Sequence, residues 1–351
     1  RPGPHQRYRA PMLMVEKRAL GTLASDHVRV RVRLAGVCGT DVNAVTTDPR
    51  TGYIVGSAPL DLDERGRVLG HEGIGEVLAV GRDVMEIRAG EWVGFESILS
   101  CGDCTPCERG HANQCTTAVL MGTQRDGLFT EVADVPARLA HQLGAVAATE
   151  DGRRAAACLE PAACSLLALR LAHVRPGDDV LVFGAGPIGT AAAMLARVVL
   201  GAGRVRVVEP LRLRRELAGR WAHEVFDVER FFASEPHEVA DVVIETSGDL
   251  DNVRRVLPMT SPNARVALLA RSGAPLAIEH VDHLITNNVT LFGCRGHLGG
   301  PFPEVLALVR DGRLPLHELV TGVLPSLVAL ADALRAPREL TAAHCKLLVA
   351  P

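Results

Sequence analysis

The stretch that most constrains this chain is Asp178-Asp-Val-Leu-Val-Phe-Gly-Ala-Gly-Pro-Ile-Gly-Thr190. A hydrophobic run, Val180 to Phe183, breaks into a glycine turn, and an alanine-rich segment of helical character follows from Ile188 to Leu200. Strand, glycine turn and helix in this order make the seat of a dinucleotide pyrophosphate. Gly184 permits the tight turn, and Gly186 leaves room for backbone to approach phosphate. Gly189 lets the helix pack on the strand, while Pro187 and Ile188 open the helix whose N-terminus faces the negative charge.

A GxGxxG turn alone is weak evidence, and three further features agree with it. A second strand, Arg204 to Glu209, follows one helix later, and Glu209 stands 25 residues beyond Gly184. That is near the spacing of an acid that accepts hydrogen bonds from an adenosine ribose. Ala240 to Glu245, Ala264 to Ala270 and Val289 to Phe292 are short apolar runs, the pattern of parallel strands buried on both faces. The seat also lies in mid-chain, so a complete second domain must precede it. The expected fold class is a doubly wound α/β Rossmann domain plus a second, mostly antiparallel domain.

A chain of 351 residues has length for two cores. A net charge of -3 gives no electrostatic reason to expect nucleic acid or an anionic membrane as partner, and no apolar stretch reaches spanning length. Residues 1–9 lack the apolar core of a signal peptide and read as a flexible arm, and the expected location is the cytoplasm. Nine cysteines, an odd count with four of them between Cys101 and Cys115, favour metal binding over a disulfide framework.

Before the glycine turn the chain is rich in short strands. His27 to Leu34 alternates as a half-buried strand, Gly73 to Gly81 is a second with glycines at bulge positions, and Ala89 to Phe95 and Gly127 to Val135 add two more. Thr46 to Leu62 is loop. Many short strands with glycine turns suggest a barrel-like domain. Ala155 to His173 is helical and joins the two domains. Glu304 to Arg310 and Leu324 to Ala336 read as helices, and Lys346 to Val349 as a strand returning to the first domain. The expected boundaries are residues 10–158 for the catalytic domain, with a metal lobe at 99–117, then 159–297 for the nucleotide domain and 298–351 for the return.

Cys101, Cys104, Cys107 and Cys115 stand at C-x2-C-x2-C-x7-C. Close pairs let successive sulfurs converge on one ion, and four soft ligands suit a tetrahedral, closed, structural zinc. A second constellation is spread over loops: Cys38 after the alternating strand, His71 and Glu72 after Gly70, and Glu160 before Pro161. Together these residues point to an open-sided catalytic zinc acting as a Lewis acid on a substrate oxygen. Singly, each also reads as a core thiol, a turn histidine or a helix-start charge.

At these residues the chain resembles the zinc-containing medium-chain dehydrogenase/reductase family, on its polyol, sugar and threonine dehydrogenase branch. The resemblance covers Gly36-Val-Cys-Gly-Thr-Asp41, Gly70-His-Glu72, the cysteine lobe and Gly184-Ala-Gly-Pro-Ile-Gly189. It implies that Cys38, His71 and Glu160 are catalytic-zinc ligands, with Glu72 able to approach the metal. It further implies that Thr40 bonds the substrate oxygen and starts its proton relay, and that Asp41 organises the ligands around it. Thr246 falls in the nicotinamide-side loop. Many members carry a histidine where this chain has Asn43, and an amide does not titrate near neutral pH, so the relay beyond Thr40 must differ.

The implied activity is hydride transfer between NAD and a secondary alcohol, held through its oxygen at zinc, giving a ketone or lactone on a polyol, sugar or aminocyclitol. The aminocyclitol reading would place it in antibiotic biosynthesis. The resemblance implies two zincs per chain and a homodimer or homotetramer. Glu209 favours NAD, while Arg212, Arg214 and Arg215 keep NADP as the alternative, with solvated helix arginines as the plainer reading. NADPH-dependent reduction of an activated double bond or carbonyl, and a non-catalytic nucleotide-binding protein, are the competing readings. His297 reads as a solvated loop histidine, with a substrate contact as the alternative.

Overall fold

The computed structural model describes residues 7–56, 58–234 and 240–351. Most of the N-terminal arm, residues 1–6, and one residue of the 46–62 loop lie outside the described residues. The chain divides into two compact units. One runs through Glu160 and resumes at Leu298–Arg310 and Pro315–Pro351; the other comprises Pro161–His297 and Asp311–Leu314.

In the first unit the elements are β1 (His27–Gly36), α1 (Gly39–Val45), β2 (Glu72–Val80), β3 (Trp92–Phe95), β4 (Ile98–Leu99), α2 (Thr105–Glu108), β5 (Val119–Leu120), β6 (Val132–Pro136), β7 (Ala140–Gln142) and α3 (Glu150–Ala156). Helix α4 (Leu159–Leu171) leads into the second unit. That unit holds β8 (Asp179–Phe183), α5 (Pro187–Met194), β9 (Arg204–Val208), α6 (Arg212–Ala218), β10 (Glu224–Phe226), α7 (Val228–Ser234), β11 (Val242–Glu245), α8 (Leu250–Val256), β12 (Arg265–Leu268), α9 (Val281–Thr286) and β13 (Thr290–Gly293). The chain then returns through α10 (Pro301–Arg310), β14 (Val320–Leu324), α11 (Leu327–Leu334), α12 (Pro337–Ala343) and β15 (Lys346–Val349).

The first unit is built on a mostly antiparallel seven-stranded sheet in the order β14-β15-β1-β2-β3-β7, with β6 also on β1. Strand β1 is its axis because alternation sends Val28, Val30 and Val32 inward, each almost fully buried. Its pairing with β2 shifts register twice, between Arg29 and Val30 and between Val32 and Leu34. Opposite the second shift, a Cβ on Gly75 would meet Val30 Cγ1 at 2.3 Å, so only glycine fits. The last strand of the chain, β15, pairs with β1 and places its C-terminal residues in this core.

The second unit is a six-stranded parallel sheet in the order β10-β9-β8-β11-β12-β13. Order reverses between β8 and β11, the point at which doubly wound sheets bind ligands outside the strands' carboxyl ends. Helix α5 passes into a π-helical turn at Leu195–Val199 instead of running evenly to Leu200. Strand β13 departs from the expectation of burial on both faces. It is an edge strand, and Thr290 and Gly293 are exposed while Leu291 and Phe292 are half-buried. Among the described residues no helix is long and apolar enough to cross a membrane.

Candidate functional site

Cys38 precedes α1 and His71 and Glu72 lie at the start of β2, so a tight connection must bring two distant turns together. Asp41 makes it. One carboxylate oxygen accepts from Cys38 N at 2.9 Å and the other from Gly70 N at 3.0 Å. Gly70 adopts φ +89°, and a Cβ there would fall 2.6 Å from the Phe129 ring. The turn into His71 therefore depends on this glycine. As a result, one donor atom each from Cys38, His71 and Glu72 lies within 4.8 Å of the others, with His71 and Glu72 buried.

Lys346, the first residue of β15, joins this group from the far end of the chain. It is fully buried, donates to the Glu72 carboxylate and also reaches Val37 O at 3.0 Å. Gly36 makes room for the pair, since a Cβ there would lie 2.7 Å from both Glu72 Oε2 and Lys346 Cε. A lone lysine in the short apolar strand Lys346-Leu-Leu-Val349 was the only sequence signal. Glu160 lies outside that 4.8 Å group but close enough to act on the His71 and Glu72 charges, and its Oε1 accepts from Ser97 Oγ at 2.9 Å.

Burial pushes the Cys38 thiol up, and the Glu72 charge adds to that. Burial also raises the Glu72 carboxyl against the pull of Lys346. For His71, burial works downward, but Cys38, Asp41 and Glu160 outweigh it and hold the imidazole well above its ordinary value. A thiol and three carboxyls thus bear on one imidazole and one ammonium. Such a set is short of positive charge, and a thiolate, an imidazole and a carboxylate together suit zinc. The donors present fit the metal. Thr40 sits half-buried in the first turn of α1, with Asn43 further along the same helix.

The cysteine lobe hangs from the β4–β5 hairpin. Cys101, Cys104, Cys107 and Cys115 gather their sulfurs within 4.8 Å of one another, with Cys101 and Cys115 at 3.4 Å. Four crowded thiols split their proton affinities. A backbone hydrogen bond from Thr116 is the main influence taking Cys104 down to about 6, while burial chiefly pushes Cys107 up to about 12. Converging sulfurs, at least one of them readily ionised, fit a closed tetrahedral zinc.

In the second unit the glycines divide their work. A Cβ on Gly189 would lie 1.9 Å from Gly184 O, and one on Gly184, at φ +89°, would lie 2.9 Å from Thr246 Oγ1. Both are closed by packing. At Gly186 the nearest group is Arg214 Nη1 at 3.8 Å, so this face of the turn is open for a phosphate. Pro187 and Ile188 begin α5 behind it. Glu209 is buried and already braces the turn, with Oε2 accepting from Ala185 N at 2.7 Å and Oε1 from Leu211 N at 2.9 Å. Each oxygen keeps further acceptor capacity. Arg212 pairs with Glu216, and Arg215 donates to Glu209 O and Pro210 O, so Arg214 is the arginine nearest the turn.

His297 is not solvated. It is fully buried, with Nδ1 at 3.9 Å from Cys164 Sγ. The neighbouring Gly296, Gly299 and Gly300 suggest an open loop, yet the histidine has no exposed surface.

Residues 24–145 match the model of the alcohol dehydrogenase GroES-like domain, and residues 187–311 that of the zinc-binding dehydrogenase. The chain is 31% identical to the L-threonine 3-dehydrogenase of Streptomyces avermitilis, over 84% of either sequence. It is 31% identical to the scyllo-inosose 3-dehydrogenase of Thermotoga maritima, over 81% of this chain and 76% of that one. A short-chain alcohol dehydrogenase (rspB) of Escherichia coli CFT073, solved with NADH, superposes with a TM-score of 0.84 at 27% identity, covering 98% of this chain and 97% of that one.

Proposed function

The chain belongs to the zinc-containing medium-chain dehydrogenase/reductase family, on its polyol and sugar branch, and on that premise we propose that it interconverts a secondary alcohol and a ketone or lactone on a polyol, sugar or aminocyclitol, with NAD as hydride acceptor. The observation that carries this reading is the convergence of Cys38, His71 and Glu72 in a chain that also keeps the open glycine turn. The same three donors weigh against the metal-free double-bond reductase and the non-catalytic binding protein.

Zinc supplies a Lewis acid and NAD a hydride-accepting ring. Cys38 and His71 would hold the metal, with Glu72 and Glu160 as the carboxylates available to it, and Cys101, Cys104, Cys107 and Cys115 would hold a second zinc. Asp41 fixes the first two ligands through Cys38 N and Gly70 N. Ser97 orients Glu160. The Thr40 hydroxyl accepts the alcohol proton and passes it on. The Asn43 amide cannot titrate, so the proton leaves through water or another side chain.

Glu209 beside the turn favours NAD because a buried carboxylate opposes a 2′-phosphate, and Arg214 keeps NADP as the second cofactor. The relatives' names direct the substrate towards polar alcohols with neighbouring hydroxyl or amino groups.

The test is oxidation of a panel of alditols, aldoses, inositols and aminocyclitols by zinc-loaded protein, with NAD and NADP in parallel. Selective NADH formation from one polar alcohol supports the reading. Reduction of an enone by NADPH without any alcohol oxidation overturns it.

A further inference from the structure

Glu245 ends β11 in the middle of the parallel sheet. It is in register with Phe183, the last residue of β8, on one side and with Leu268, the last of β12, on the other. The residue is completely buried. An acid this deep is unfavourable unless its oxygens are bonded. Oε1 is richly bonded: it accepts from Ser247 N at 2.7 Å, from the Ser247 hydroxyl and from Gly248 N at 3.0 Å. Oε2 is buried and meets no hydrogen-bond partner among the described residues. Burial raises the proton affinity of the carboxyl, against those donors.

The turn that Glu245 gathers is the flank of the glycine turn. Thr246 N bonds Phe183 O at 2.9 Å, and its hydroxyl lies 2.8 Å from Phe183 O and 3.1 Å from Gly184 O. The same hydroxyl occupies the space beside Gly184 and Gly189. Gly248, at φ +79°, closes the turn. A carboxyl with no exposed surface cannot touch a dinucleotide laid on the open face at Gly186. Among the described residues its carboxylate bonds reach Ser247 and Gly248, on the far side of Thr246.

We propose that Glu245 is a positioning residue for the dinucleotide, holding Ser247 and Gly248 on one oxygen so that Thr246 stays seated against Phe183 and Gly184 and keeps the glycine turn shaped for pyrophosphate. The proposal rests on the NAD reading above. It specifies which atom matters. The acceptor Oε1 carries the turn, and an amide nitrogen in place of the unbonded Oε2 leaves that acceptor intact.

Titration of zinc-loaded protein with NADH, read by fluorescence, tests it on the wild type, Glu245→Gln, Glu245→Ala and Thr246→Val. Glu245→Ala and Thr246→Val weaken NADH at least tenfold, and Glu245→Gln stays within about threefold of wild type. In Glu245→Ala the loss falls on the KM for NAD and not on kcat. Unchanged NADH affinity in Glu245→Ala overturns the proposal, as does a Glu245→Gln variant that binds as poorly as the alanine. If Glu245→Ala does not fold, undiminished affinity in Thr246→Val overturns it. A wild type that binds neither NADH nor NADPH overturns the dinucleotide reading itself.

Discussion

Lys346 donates to Glu72 across 274 residues of sequence, at a point where neither side chain has appreciable exposure. The pair joins the last strand of the chain to the edge of the candidate metal centre. It also fixes the carboxylate that already lies within 4.8 Å of the Cys38 and His71 donors.

Lys346→Met leaves the Glu72 carboxylate buried without its cation, which costs about 3–5 kcal/mol when one member of a buried pair is removed. Chemical denaturation of the zinc-loaded protein should show a loss of that order. The double variant Lys346→Met, Glu72→Gln should recover a large part of it. Equal stability of the single and double variants would show that the pair carries no coupling.

Gly70→Ala meets two obstacles at once, a positive φ and the Phe129 ring. Strain of this kind is on the order of 1–3 kcal/mol, and relief requires the His71 turn to move. Turnover should fall at least tenfold while the melting temperature drops only modestly. An alanine variant with wild-type kcat would show that His71 does not depend on this turn.

Cys115→Ser removes one of four converging sulfurs in the lobe below β4 and β5. Elemental analysis should show one zinc fewer per chain and a lower melting temperature. Unchanged zinc content would remove the lobe from the list of metal sites.

The Glu245 carboxyl holds its proton more tightly in the folded chain than in the unfolded one, chiefly through burial. Its contribution to stability is therefore complete below the unfolded value, about 4.3, and is lost as pH rises through the folded value. Glu245→Gln does not ionise and escapes that loss. The melting temperature of Glu245→Gln relative to wild type should rise as pH increases from about 4. A difference independent of pH would contradict the buried, proton-retaining carboxyl.

Local pattern made much of this legible. The glycine turn, the C-x2-C-x2-C-x7-C spacing and the alternating β1 each need only neighbouring residues, and each is where the sequence places it. Features built from distant residues left little trace. Lys346 meets Glu72 only because β15 pairs with β1 and β1 with β2. His297 sits among glycines that read as exposed loop, yet it is fully buried. Glu209 stands at the spacing of a ribose acceptor, but its bond to Ala185 N needs the folded turn to be seen. Strand β13 has the apolar pattern of a buried strand, and its edge position follows from strand order, which no local pattern encodes.

The most direct test of the account is zinc content measured alongside turnover and NADH binding in the wild type and Cys38→Ser. The account predicts two zincs and NAD-linked oxidation of a polar alcohol in the wild type. In Cys38→Ser it predicts one zinc, no measurable oxidation and NADH affinity within about threefold of wild type. A Cys38→Ser protein that loses a zinc yet oxidises the same alcohol at the wild-type rate would contradict it.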